Sequence, residues 1–360
     1  MKRLLAGTAA IAAAVLFLSC PAQAISARSA ILLDAATGRV IYEKAADERS
    51  LIASTTKIMT AIIVCEQCNV LDRMRIPREA VGIEGSSIYL KEGEVLTLQE
   101  LLYGMMLHSG NDAATALAIY CGGTVEGFAQ MMNDKARMLK MNGSHFVNPH
   151  GLDAPDHYST ARDLGILAQY AMENPIFAQT VSTKNVRIGS RSLTNHNKLL
   201  WRVEGAEGVK TGYTRAAGRI LVSSAQRQGR RLVAVTIDDG NDWLDHAALY
   251  EQGFRDYKLR QVLCKGQVLH TLAVVGGEEV SVSLVADADF SFSMSDEEEV
   301  TIRFSPKEFV FAPVAEGAEA GFAYIFIGDK QVGQVLLRYD RTIELQPEQK
   351  QRFWQRWFGE

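Results

Sequence analysis

Ser54 and Lys57 stand three residues apart in Ala53-Ser54-Thr55-Thr56-Lys57, directly ahead of the apolar run Ile58 to Val64. The stretch Thr55 to Val64 has helical periodicity and no Gly or Pro, which predicts a buried helix with Ser54 in its first turn. Residues three apart on a helix share a face, so the Lys57 amine can reach the Ser54 hydroxyl. A serine hydroxyl is a poor nucleophile until a neighbouring base takes its proton, and a desolvated lysine can be that base. The helix N-terminus also favours negative charge developing near Ser54. Taken alone, S-x-x-K equally describes a capping serine followed by a solvated lysine. Residues further along the chain decide between the two.

Two groupings supply that context: Ser109-Gly110-Asn111, at a break between two helices, and Lys210-Thr211-Gly212, ahead of a strand. S-x-x-K, then S-x-N about fifty residues on, then K-T-G about a hundred beyond, is specific jointly though not singly. In related signatures the middle position of the second grouping is Asp; here it is Gly110. Other candidates are weaker. His145, His150 and His157, with Asp153 and Asp156, lack helical metal-ligand spacing and read as loop histidines in hydrogen bonds. His108 beside Ser109 points away from it on a helix end, and no G-x-S-x-G elbow occurs. No metal or cofactor is expected.

The elements that must position these groups follow from patterning. Ala30 to Asp34 and Arg39 to Glu43 read as a hairpin around Ala35-Ala36-Thr37-Gly38. Thr97-Leu98-Gln99-Glu100 is a capping box opening a helix to about His108, and Asn111 or Asp112 can cap Ala113 to Tyr120. Phe128 to Leu139 and Ala161 to Met172 read as helices, the latter capped by Thr160. Asn148 to Asp153 reads as a turn. Ile220 to Ala225 and Leu232 to Ile237 read as strands, and Trp243 to Phe254 as a closing helix. Strands at both ends with helices between imply one antiparallel sheet flanked by helices, an α/β (α+β) domain. From about Leu263 short alternating runs separated by Gly276-Gly277, Gly328-Asp329 and an acidic turn at Asp296 to Glu299 imply a small all-β domain.

With 360 residues, 47% hydrophobic and 22% charged, the chain suits a folded two-domain protein. Lys2-Arg3, the apolar stretch Leu4 to Leu18 and Ala22-Gln23-Ala24 form a secretory leader cut after Ala24; Cys20 lacks a good lipoprotein box. Losing that leader changes the net charge from −4 to −6, with 36 basic against 42 acidic side chains. A mildly acidic chain without a basic stripe argues against nucleic-acid binding. Cys65 and Cys68 lie near the end of the Ser54 helix while Cys121 and Cys264 are solitary, so buried or incidental thiols are expected rather than a disulfide or redox pair. The expected divisions are 1–24 leader, 25–260 catalytic domain, 261–345 β-sandwich-like domain and 346–360 tail. In that tail Phe353, Trp354, Trp357 and Phe358 would form one helical stripe beside Lys350, Arg352 and Arg356, a pattern suited to peripheral membrane contact. The rival is a helix docked on the β domain, or a frayed end.

The three motifs, the Asn148-Pro149-His150-Gly151-Leu152 turn and His157-Tyr158-Ser159-Thr160-Ala161 together resemble the low-molecular-mass penicillin-binding proteins, the D-alanyl-D-alanine carboxypeptidases of peptidase family S11. The resemblance covers about Ser26 to Leu345. It implies a penicillin-recognising serine transpeptidase/β-lactamase-like fold and an exported enzyme acting on peptidoglycan stem peptides, with β-lactams as inhibitors. By that resemblance Ser54 is the nucleophile and Lys57 its base. Ser109 passes a proton to the leaving amine, and Asn111 orients Lys57 and the substrate amide. Lys210 and Thr211 take the terminal carboxylate, Gly212 keeps the strand edge bare, and the Ser54 and Tyr213 amides form the oxyanion hole. Some relatives carry an arginine where this chain has His196, leaving His196, Arg215 or Arg219 to complete carboxylate recognition. Rival functions are a DD-endopeptidase, a β-lactamase (against which Glu173 does not fit the needed E-x-x-L-N loop) and a non-catalytic wall-binding protein.

Overall fold

A computed structural model describes residues 25–304 and 308–347 of the chain. The expected leader, and all of the expected tail but Gln346 and Pro347, lie outside the described residues. The first domain is built on a five-stranded antiparallel sheet in the spatial order Val40–Lys44, Ser29–Asp34, Arg230–Ile237, Gly218–Arg227, Ala206–Thr214. Alternation along Ser29–Asp34 explains its two covered faces. Ile31 and Leu33 join the core beneath the helical layer, whereas Ala30 and Leu32 join a second core with Leu249 and Tyr250. Every residue of that strand is buried, which its near-continuous apolar run foreshadows.

Helix α1 (Lys57–Gln67) runs through the larger core and is buried from Lys57 to Cys65. Around it pack α2 (Leu98–Leu107), α3 (Asn111–Gly122), α4 (Val125–Met138), α5 (Ala161–Met172) and α6 (Pro175–Ser182). The short α7 (Leu199–Arg202) precedes the edge strand, and α8 (Asp242–Asp256) covers the opposite face of the sheet. The capping box at Thr97 is present in full: the Thr97 side chain accepts from the Glu100 amide, and the Glu100 carboxylate accepts from the Thr97 amide. The Thr160 side chain caps α5, accepting from the Asp163 amide. Helix α3 differs from expectation. The helix begins at Asn111, so its N-cap is Gly110 without a side-chain bond, while Asp112 accepts from the Ala113 amide at 2.9 Å from within the first turn.

The cysteines also differ. Cys68 and Cys121 form a disulfide with a Cα–Cα distance of 6.8 Å, joining the far ends of α1 and α3. The pairing spans 53 residues and arises because the two helices converge, which no local spacing reveals. Cys65 is a buried free thiol and Cys264 an exposed one.

The second domain faces a six-stranded sheet, ordered Val300–Phe304, Glu319–Ile327, Lys330–Tyr339, Ser281–Ala286, Val268–Val275, Phe309–Phe311, against the pair Lys258–Leu263 and Phe290–Met294. That pair has no counterpart among the expected strands, and Lys258–Leu263 straddles the boundary expected at 260. Two arginines tie this domain to the first. Arg39 reaches the Ser293 carbonyl at 2.7 Å and forks onto the Glu298 carboxylate. Arg230 donates to Asp34 and to Ser293 Oγ, both at 2.7 Å and all three residues buried. A buried guanidinium is tolerable only when its fork is this fully satisfied.

Candidate active site

Ser54 lies in a single 3-10 turn, Ala53–Thr56, one step before α1 rather than inside it. Lys57 opens the helix and is fully buried. Its Nζ is 2.8 Å from Ser54 Oγ, 2.7 Å from Asn111 Oδ1 and 2.6 Å from the His150 carbonyl. Burial first, then the charge of Lys210, holds the Lys57 amine well below its ordinary value, against a weaker opposing pull from Asp112. A neutral amine has two N–H donors and one lone pair. The two carbonyl oxygens consume the donors, and the lone pair is left facing the Ser54 hydroxyl.

The turn Asn148 to Leu152 is the floor of this arrangement. Asn148 Oδ1 accepts from the Gly151 amide at 2.7 Å, and its Nδ2 donates to the Leu152 carbonyl at 2.9 Å. That closure aims two successive carbonyls at α1: His150 takes Lys57, and Pro149 accepts from Thr60 Oγ1 at 2.7 Å. Gly151 has φ +86° and touches the nucleophile turn. His157 accepts the Val147 amide on Nδ1 at 3.1 Å, so its Nε2–H points to Thr56 Oγ1 at 2.7 Å. Burial lowers its ring to about 4, keeping it neutral. His145 and His150 are likewise hydrogen-bonded, to the Asp156 carbonyl and the Leu152 amide.

Ser109 sits between α2 and α3 with φ +63° and is 5% exposed. It lines a cavity of about 310 Å³ with Ser54, His196, Thr211, Gly212 and Tyr213. Asn111 bridges Lys57 to the loop before α2, its Nδ2 donating to the Glu84 carbonyl at 2.5 Å. Asp112 is not expected here from the sequence, although a carboxylate in an apolar helix is itself a signal. It accepts from the amides of Ile88 and Leu90 at 3.1 and 3.0 Å and from Ser87 Oγ at 2.6 Å, pinning that loop beside the site. A side chain at position 110 would stand 2.8 Å from Asp112 Oδ1, which accounts for glycine in the middle of the second motif.

Lys210, Thr211 and Gly212 lie within the edge strand Ala206–Thr214, not ahead of it. Lys210 is 1% exposed and donates to the Thr211 carbonyl at 2.9 Å; burial lowers its amine to about 7. Two buried amines in one site disfavour each other's charge, and burial lowers both. Gly212 lies in that edge strand and has a further close contact. A Cβ there would lie 3.2 Å from the Ile52 carbonyl and 3.3 Å from the Ser54 amide nitrogen, so the missing side chain lets the nucleophile turn lie against the strand.

His196 and Arg219 both line the cavity, whereas Arg215 does not. The His196 ring lies 4.9 Å from that of His108, and burial, then Lys210 and His108, lowers it to about 4. Arg219 forks onto Asp242 at 2.7 and 3.2 Å, with the ring of Trp243 5.7 Å from its guanidinium carbon. Asp242 and Trp243 open α8, and Asp242 lies 23 residues from Arg219, so only the tertiary fold reveals this grouping. Glu173 pairs instead with Arg231 at 3.3 Å and is 72% exposed, and does nothing for a deacylating water.

Residues 17–241 match the family described as D-alanyl-D-alanine carboxypeptidase, and 257–345 match the C-terminal domain of penicillin-binding protein 5. D-alanyl-D-alanine carboxypeptidase DacF of Bacillus subtilis is 30% identical over 326 residues, 86% of this chain and 83% of its own length. Among solved structures, penicillin-binding protein 5 of Haemophilus influenzae superimposes with a TM-score of 0.77 at 27% identity, covering 89% of this chain and 98% of that one. A mutant of the Streptomyces K15 DD-transpeptidase covers 64% of this chain and 98% of its own, with TM-score 0.62 and 34% identity. With a serine and a buried lysine in contact beside a K-T-G edge strand, and these relatives alongside, the chain belongs to the D-alanyl-D-alanine carboxypeptidase family.

Proposed function

We propose that the protein removes the terminal D-alanine from peptidoglycan stem peptides through an acyl-enzyme on Ser54, and that β-lactams acylate the same hydroxyl. The observation that carries the reading is the Lys57 environment, in which two carbonyls hold the amine and its third direction meets Ser54 Oγ at 2.8 Å. Lys57 takes the Ser54 proton as the oxygen attacks the penultimate D-alanine carbonyl. Charge on that carbonyl oxygen is met by the Ser54 and Tyr213 amides; supporting this, a Cβ on Gly212, the residue before Tyr213, would lie 3.3 Å from the Ser54 amide nitrogen. Ser109 returns the proton to the leaving amine, and Asn111 holds Lys57 and the substrate amide. The substrate adds as an extended strand along the free edge of Ala206–Thr214. Its terminal carboxylate meets Lys210, Thr211 and Arg219. Water then resolves the acyl-enzyme.

Incubation with a pentapeptide muropeptide, followed by mass analysis, should show loss of one D-alanine. Benzylpenicillin should add one equivalent, mapped to the Ser54 peptide. An adduct that persists in Ser54→Ala overturns the nucleophile assignment.

The same reading places the enzyme outside the cytoplasmic membrane, with peripheral contact through the aromatic and basic residues of 346–360. Among the described residues no helix is long and apolar enough to cross a membrane. A chain ending at Leu345 should lose its pelleting with anionic vesicles at low salt; equal pelleting of both forms removes the anchor.

A further inference from the structure

Two buried carboxylates lie under Ser26 and are short of a positive charge. Asp239 stands just before α8 and Asp245 in its first turn, and each is 1% exposed. Ser26 Oγ lies 2.7 Å from Asp239 Oδ1 and 2.8 Å from Asp245 Oδ2. A hydroxyl carries one hydrogen, so it can donate to only one of these two acceptors. The Ser26 amide donates to Asp245 Oδ2 at 2.6 Å, and the Asn241 amide to Asp239 Oδ1 at 2.9 Å. Asp239 Oδ2 is buried and has no hydrogen-bond partner among the described residues. Nor does any cation among them pair with either carboxylate. Burial raises the Asp239 carboxyl and the Asp245 charge adds to it, against lowering contacts with Ser26, Asn241 and Thr236. A buried acid pair of this kind calls for a proton or a cation.

The chain itself can supply the cation. Ile25, the residue expected to become the mature N-terminus, is buried, and its carbonyl accepts from Lys44 Nζ at 2.9 Å. Bond lengths hold the Ile25 nitrogen within about 4 Å of the Ser26 nitrogen, which itself touches Asp245. In the precursor that nitrogen is a neutral amide. Hydrolysis of the Ala24–Ile25 bond by a leader peptidase adds water across it, leaving a carboxylate on Ala24 and an amine on Ile25 that takes up a proton near neutral pH. We propose that Asp239 and Asp245 form the binding site of the α-ammonium group created on Ile25, and that this contact locks the start of α8 after export. The three hydrogens of the ammonium suit Asp239 Oδ2 and the Asp245 carboxylate. The lock reaches the cleft by a short path. The Asp239 amide donates to the Arg219 carbonyl at 3.0 Å, and Asp242, between the two acids in sequence, forks onto the Arg219 guanidinium.

The inference rests on a leader cut after Ala24 and stands apart from the carboxypeptidase reading. The intact mass of the exported protein should give Ile25 as its first residue; a different first residue overturns the inference and leaves the enzyme assignment as it is. The chain from Ile25 to Glu360, released from a removable N-terminal fusion, is then compared with its Nα-acetylated form and with a chain beginning at Ala22. Acetylation removes the charge, and the three added residues carry it away from the acids. The free Ile25 chain should melt about 3 to 6 °C above both, the size of a charge-assisted hydrogen bond in a chain this long. Its amides from Asp238 to Asp245 should exchange with solvent about tenfold more slowly than in the other two. Asp239→Asn and Asp245→Asn each keep an oxygen for Ser26 but remove a charge, and each should shrink the melting gap by at least half. Equal melting of the three chains overturns the ammonium site. A gap that persists unchanged in both variants makes it a matter of packing and overturns the site as well. Exchange at 238–245 that ignores the state of the Ile25 amine overturns the lock on α8.

Discussion

Gly151 presses on Ala53: a Cβ built on the glycine would stand 1.8 Å from the Ala53 carbonyl oxygen and 2.8 Å from Thr56 Oγ1. Ala53 itself has φ +45°, so the residue before the nucleophile already occupies a strained conformation held by its surroundings. Gly151→Ala combines overpacking with a φ of +86° that alanine resists. We expect a loss of about 3 kcal/mol in stability. Displacing Ser54 by even about 1 Å should slow benzylpenicillin acylation about 100-fold. A Cβ on Gly240 would meet nothing within 4 Å, and Gly240→Ala should melt within about 0.5 kcal/mol of the parent. Equal behaviour of the two variants in a denaturant melt and an acylation assay would refute the contact.

The two buried lysines set the pH dependence. Lys57 acts only when neutral, so acylation rises as pH climbs through its depressed pKa. Lys210 attracts a carboxylate only when charged, and burial lowers it to about 7, so affinity for carboxylate-bearing substrates falls as pH rises past that point. The profile of kcat/KM should be a bell whose alkaline limb lies within about a unit of 7. Lys210→Arg stays charged, and its alkaline limb should vanish. A limb unmoved in that variant assigns it elsewhere. Lys57→Arg keeps charge but cannot serve as base, and acylation should fall by about two orders of magnitude or more.

Arg219 is the residue we expect to complete the carboxylate site. His196 is neutral at physiological pH, its ring lowered to about 4, and Arg215 does not line the cavity. Asp242 engages Nε and Nη2 of Arg219, which lines the cavity. Arg219→Ala should lower kcat/KM about tenfold for peptides with a free terminal carboxylate, the size of one charge-assisted bond. Peptides ending in an amide should lose far less. An equal loss for both would make Arg219 a structural residue of the α8 start.

The Cys68–Cys121 bridge closes a loop spanning 53 residues between helices whose opposite ends carry Lys57 and Asn111. Chain entropy for a loop of that size corresponds to about 4 kcal/mol. Reduction, or the double change Cys68→Ala with Cys121→Ala, should lower denaturant stability by that order in a chain lacking residues 1–24. Cys65 should resist thiol reagents until unfolding, because burial, with Glu66 adding to it, pushes its thiol up to about 12. Cys264, being exposed, should react at once. Fast reaction of two thiols in the native protein contradicts the burial of Cys65.

The sequence by itself determined the chemistry and most of the elements. Ser54-x-x-Lys57 is a local relation, set by three residues of chain, and the Thr97 and Thr160 caps obey rules that act within one helical turn. Alternating and helical apolar periods likewise report which face each segment buries, and so revealed the antiparallel sheet, its helices and the all-β second domain. What only the tertiary structure decided are relations between segments far apart in the chain: His150 offering its carbonyl to Lys57, Asp112 pinning the Ile88 loop, Arg219 forked onto Asp242, and Cys68 meeting Cys121. The placement of Lys210 to Gly212 on the sheet edge, and of Gly212 against Ser54, belongs with them. Backbone carbonyls and glycine hydrogens carry no residue-type signature, and a pair 93 or 53 residues apart becomes neighbours only when the packing of the whole core brings them together.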